Sequence, residues 1–89
     1  MPTLTIQVTS KDIGDGQRRN TWTCPVCIAL FRTTGLKWVV EETTCYPLVN
    51  RNAFIPLPPE AITFISEFDA TGFGQPFEFQ LDVPAEEVA

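Results

Sequence analysis

The one stretch of this 89-residue chain with a catalytic look is Cys24-Pro25-Val26-Cys27, which carries two thiols. A thiol at the start of a helix feels the positive end of the helix dipole, which favours thiolate. A second thiol three residues on can resolve a mixed disulfide, so the spacing suits thiol–disulfide exchange. The same two residues also read as small apolar side chains on a buried helix face, Cys27 lying beside Ile28 and Phe31. With Cys45 the chain has three thiolates to offer zinc, yet no histidine and no fourth cysteine closes a tetrahedral set. No metal and no cofactor is expected. The absence of histidine also rules out a Ser-His-Asp arrangement. Gly72-Phe73-Gly74 is too short for a phosphate loop, and the carboxylates are scattered rather than paired.

Charge is divided along the chain. The formal charge is −5, and all the cations (Lys11, Arg18, Arg19, Arg32, Lys37, Arg51) fall before residue 52. That stretch sets six cations against four carboxylates, a net +2, whereas the remainder has seven carboxylates and no cation. An acidic half repels phosphate backbones, so nucleic acid is not the expected partner. It suits either a solvated face or a basic surface on another protein. Glu60, Glu67 and Asp69 are the partner-binding candidates. Glu60 and Glu67 stand two turns apart on one helix flank, and Asp69 sits in the last turn, where its charge opposes the dipole.

These residues need elements to position them. Thr3–Thr9 alternates, with Leu4, Ile6 and Val8 inward, as does Phe77-Glu78-Phe79-Gln80-Leu81-Asp82-Val83. Ser10 is placed to cap a short helical turn ended by Gly14 or Gly16, and the polar run that follows to Thr21 reads as loop. A helix is expected from Thr23, as N-cap, to Thr34, with Gly35 at its end; Cys24, Cys27, Ile28 and Phe31 mark its buried face, and Val26, Ala29 and Leu30 widen it, so that the helix should be largely buried. Leu36, Trp38 and Val40 alternate inward in the next strand, leaving Lys37, Val39 and Glu41 outward. Residues 44–55 read as one irregular edge strand because Pro47 cannot donate to an interior ladder. Pro56-Leu57-Pro58-Pro59-Glu60 opens a second helix with Ala61, Phe64, Ile65 and Phe68 as its stripe, closed by Gly72 and Gly74. The expected core joins Phe64, Ile65, Phe68, Ile28, Phe31, Trp38, Phe77 and Phe79.

The order β-α-β-β-α-β predicts a single α+β domain over residues 1–83, a ferredoxin-like four-stranded antiparallel sheet with two helices on one face. Residues 84–89 form an acidic tail expected to fray. RNA-recognition domains share this order, but the outward strand positions lack the aromatic residues that stack bases. The composition, 44% hydrophobic and 19% charged, is that of a folding chain. No apolar run approaches the roughly 18–20 residues of a membrane span. With no basic or apolar leader at its start and an odd cysteine count, the chain is expected in the reducing cytosol.

Locally, Trp22-Thr23-Cys24-Pro25-Val26-Cys27 resembles the active-site turn of glutaredoxins. That resemblance implies Cys24 as nucleophile and Cys27 as resolving thiol. Over about three quarters of its length the chain resembles a small, functionally uncharacterised family of bacterial and phage genomes. The likeness is carried by Ile6-Gln7-Val8-Thr9 with Asp12-Ile13, by Cys24-Pro25-Val26 with Ile28-Ala29-Leu30, by Leu57-Pro58-Pro59-Glu60-Ala61, by Phe64-Ile65 with Phe68-Asp69, and by Pro76-Phe77-Glu78-Phe79-Gln80-Leu81. Such proteins carry Cys24-Pro25 without a second cysteine at the position of Cys27. The expected function is accordingly a non-catalytic protein-interaction module of phage or mobile-element type, an inhibitor or modulator that binds a basic surface of a host defence or transcription protein. The alternative is a thiol oxidoreductase or redox sensor using Cys24 and Cys27.

Overall fold

Alternating hydrophobicity joins the two ends of the chain. In the computed structural model, which describes residues 3–18, 20–50 and 52–83, β1 (Thr3–Val8) and β5 (Phe77–Asp82) pair antiparallel. Ile6 lies opposite Phe79 and Leu4 opposite Leu81. Ile6, Val8, Phe79 and Leu81 are buried, as the alternation requires. On the opposite face Thr3 Oγ1 donates to Asp82 Oδ1 at 2.6 Å, and Thr5 Oγ1 to Gln80 Oε1 at 3.1 Å. That face is polar and offers no stacking platform. The expected tail, 84–89, lies outside the described residues.

The first helix begins one residue earlier than Ser10 suggests. Thr9 caps α1 (Ser10–Asp15) because the acid that reciprocates stands three residues on: the Asp12 amide donates to Thr9 Oγ1, and the Thr9 amide to Asp12 Oδ2. Gly16 ends it, and part of the expected loop is thus helical. In α2 (Pro25–Thr34) the N-cap is Cys24, one residue after Thr23, with Pro25 in the first turn where its missing amide costs nothing. Gly35, at φ 76°, takes the left-handed conformation that closes the helix.

The buried face of α2 matches the expected one at Cys24, Cys27 and the residues that widen it, and departs from it at Phe31. Val26, Cys27, Ala29 and Leu30 are buried, Ile28 is half-buried and Phe31 is 49% exposed. Val26, Leu30 and Thr34, at i, i+4 and i+8, turn inward because α2 touches both β1 and β2 and that stripe faces the space between them. Cys27 sits against the Thr21 carbonyl, and Phe31, one turn further, lines an open groove with Trp22 and Cys27.

The middle strands form a second sheet. β2 (Trp38–Val40), β3 (Thr44–Pro47) and β4 (Ile55–Pro56) are antiparallel in the order β2-β3-β4. Residues 44–55 thus contribute to two strands rather than one. Val39, expected outward, is buried like its neighbours. The Val40 amide donates to the Thr21 carbonyl, so the 20–23 loop covers the free edge of β2.

The architecture is α+β; the described residues form three helices and two antiparallel sheets, where a single ferredoxin-like sheet was expected. Prolines supply the reason. The Leu57 amide points to the Thr43 carbonyl, so the neighbouring position faces away from β3, and there Pro56 has no N–H. Pro58 repeats the deficit, so neither position can donate to a ladder with β5. A groove of about 460 Å³ lined by Phe54, Pro56, Pro58 and Leu81 lies there instead.

Helix α3 (Pro59–Thr71) follows its reading: Ala61, Phe64, Ile65 and Phe68 are buried. Its rings continue into β5, with centroids 4.7 Å apart for Phe64–Phe77 and 5.7 Å for Phe77–Phe79. Phe77 is half-buried against this core, which also takes in Trp38. Among the described residues no helix is long and apolar enough to cross a membrane.

Candidate functional site

Proline at the first helical position and cysteine at the cap bring the two thiols together. The Cys24 and Cys27 sulfurs lie 3.4 Å apart in hydrogen-bond contact, and Cys27 Sγ is 3.0 Å from the Thr21 carbonyl oxygen. That carbonyl also accepts the Val40 amide, so the loop fastens both the thiol and β2. The loop is itself held by side chains. Asn20 Oδ1 accepts the Trp22 and Thr23 amides, while Gln17 Oε1 accepts from Asn20 Nδ2 and Thr23 Oγ1. Gly16 passes so close that a Cβ there would stand 2.5 Å from Pro25 Cδ.

The two thiols are driven apart in acidity. Contact with Cys27 is the largest influence holding Cys24 below the ordinary thiol value; burial opposes it, and the Val26 and Cys27 backbone amides support it. The Asp69 carboxylate works weakly against ionisation. Cys27 is pushed well up, first by its contact with Cys24, then by burial and by the Cys24 charge. The contact thus favours the thiolate on Cys24 and the thiol on Cys27. Cys45 is pushed up to about 12 by burial, with the Cys24 charge adding to it, and is an inert thiol. All three cysteines are free and buried, and no group of three metal-ligating residues occurs among the described residues.

Cys24 is only 5% exposed, but it lines a groove of about 330 Å³ with Asn20, Thr21, Glu41, Glu42 and Asp69. On its other side Cys27 borders an apolar groove with Trp22, Ile28 and Phe31. The structure separates the three acidic partner candidates. Glu60 and Glu67 are exposed, whereas Asp69 is half-buried and belongs to the Cys24 groove. Nine residues of helix put Asp69 about half a turn out of phase with Glu60. Opposite the dipole at that end, Arg18 donates to the Asp69 and Ala70 carbonyls. Glu41, Glu42 and Thr21 were not legible as site residues, since only the chain's return past β2 brings them to Cys24. The adjacent Glu41-Glu42 pair at a strand end was the one available signal.

Comparison with protein-family models, with curated proteins and with solved structures finds no match for this chain. The functional reading rests on the geometry.

Proposed function

We propose that the protein is a dithiol that exchanges with disulfides, Cys24 acting as nucleophile and Cys27 as resolving thiol. The observation that carries this reading is the 3.4 Å contact between two sulfurs of opposed acidity, one of them capping a helix and lining a groove. In the first step the Cys24 thiolate attacks one sulfur of a substrate disulfide. A Cys24–substrate disulfide forms, the substrate S–S bond breaks, and the leaving thiolate takes a proton from solvent. The charge that holds the proton on Cys27 vanishes in that step, because a mixed disulfide carries none. Cys27 then loses its proton and attacks Cys24 Sγ, expelling the second substrate thiol. The protein ends as a Cys24–Cys27 disulfide, having given two electrons and the Cys27 proton to the substrate, whose other proton came from solvent. The sulfurs close from contact to the bond length of about 2.05 Å, which needs only a small adjustment of the turn.

The test is trapping. Reduced protein mixed with a small disulfide should form an intramolecular bond, Cys27→Ser should stop at a stable mixed disulfide on Cys24, and Cys24→Ser should not react. The Cys24 reaction rate should rise with pH through a midpoint below the ordinary 9.0. Labelling of Cys24 and Cys27 only on unfolding, together with Cys45, would show that the pair merely packs.

A second reading is favoured by the exposure of Glu60, Thr63 and Glu67 along one flank of α3. There the protein is an interaction module that covers a basic surface of another protein, such as one that handles nucleic acid. Protein captured by the wild type should be lost with Glu60→Lys/Glu67→Lys, and the salt dependence of binding should reverse. Capture that survives the double change at low salt would make the flank a solubilising surface only.

A further inference from the structure

The carboxylates around Cys24 bear on which disulfides reach it. Glu41 and Glu42 are exposed in the β2–β3 turn, which the Glu41 amide closes on the Thr44 carbonyl at 2.8 Å. Both side chains therefore stand at the mouth of the Cys24 groove. Glu42 also borders an adjoining groove with Ile62 and Ser66, and both acids border another with Trp22 and Tyr46. Among the described residues no lysine or arginine lines any of these three grooves. Arg18, which meets the end of α3, directs its guanidinium to the Asp69 and Ala70 carbonyls.

We propose that this rim selects disulfides carrying positive charge beside the reacting sulfurs, and disfavours anionic ones; the inference rests on the dithiol reading above. An acidic mouth raises the local concentration of cations and repels anions. Two carboxylates acting at roughly 8 Å through water change an encounter by about fivefold. A substrate ammonium also offsets the negative charge that the thiolate brings to the reacting sulfurs.

The experiment compares cystamine, which bears two ammonium groups, with neutral hydroxyethyl disulfide and with anionic glutathione disulfide. Each rate of Cys24 oxidation is divided by that disulfide's rate with dithiothreitol at the same pH, which removes differences between leaving groups. At about 20 mM salt the normalised rate should be about fivefold higher for cystamine than for the neutral compound, and lower by a similar factor for glutathione disulfide. The spread should collapse by about 0.5 M salt. E41Q/E42Q should bring the ratio of cystamine to neutral disulfide within about twofold of unity. Equal normalised rates at low salt, or a preference for glutathione disulfide, would overturn the inference while leaving the dithiol reading intact. Failure of all three to oxidise Cys24 would overturn both.

Discussion

Asp12 completes the α1 cap and also receives the Arg32 fork: Nη1 donates to Oδ1 at 2.5 Å and Nη2 to Oδ2 at 2.8 Å, while Nη2 reaches the Gln7 carbonyl. One buried carboxylate thus ties α1, α2 and β1 together. Burial works against its ionisation, but Arg32 and the Thr9 amide together outweigh it and hold its pKa below 3.8. The unfolded chain consequently binds the proton more readily. The stabilisation is complete above the unfolded value and is lost as pH falls through the lowered folded one. Arg32 is 47% exposed and partly screened, so Asp12→Asn should cost about 1–3 kcal/mol at neutral pH, less than a fully buried pair. Urea unfolding from pH 6 down to about pH 2 should show a shallower acid loss in the variant than in the wild type. Identical slopes would mean that the pair contributes nothing.

At the scale of elements, α2 is fixed at both ends by close contacts. Thr34 Oγ1 donates to the Leu30 carbonyl and accepts both the Trp38 indole N–H at 2.9 Å and the Leu36 amide. Thr34→Val keeps the shape but leaves a buried indole N–H without an acceptor, which should cost about 1–3 kcal/mol in denaturant unfolding. At the other end Gly16 backs onto Pro25. Gly16→Ala must push the proline ring aside, so alkylation of Cys24 should change in rate along with a loss of stability. If stability falls and the Cys24 rate stays fixed, the connector does not position the thiol turn.

For the molecule as a whole, the core is asymmetric between its helices. Phe68 is 3% exposed and stacks on Phe64, so Phe68→Ala should cost about 3–5 kcal/mol. Phe31 carries an equally large ring at what looks like an equivalent helical position, yet Phe31→Ala should change stability by no more than about 0.5 kcal/mol. Thermal unfolding of the two variants side by side checks the orientation of α2. A large loss at Phe31 would put that ring in the core after all.

Sequence alone determined the features that depend on neighbours along the chain. Period-two alternation specified β1 and β5 with their inward residues, the Pro-rich start and i, i+3, i+4 stripe specified α3, and Gly35 and Gly72 marked helix ends through left-handed backbone. The closeness of Cys24 and Cys27 was legible for the same reason, since three residues of helix return a side chain to the same flank. Tertiary structure decided which flank of α2 faces inward, because an all-round apolar helix has no unique stripe and the gap between two sheets chose one. It also divided the strands between two sheets, since the direction in which Pro56 lacks its donor depends on which edge β3 occupies. Asp69 joined the thiol groove and parted from Glu60 and Glu67 because helix phase, rather than the sign of charge, sets what a side chain meets. Glu41 and Glu42 reached Cys24 only through the return of the chain past β2, a closure between segments that no local pattern encodes.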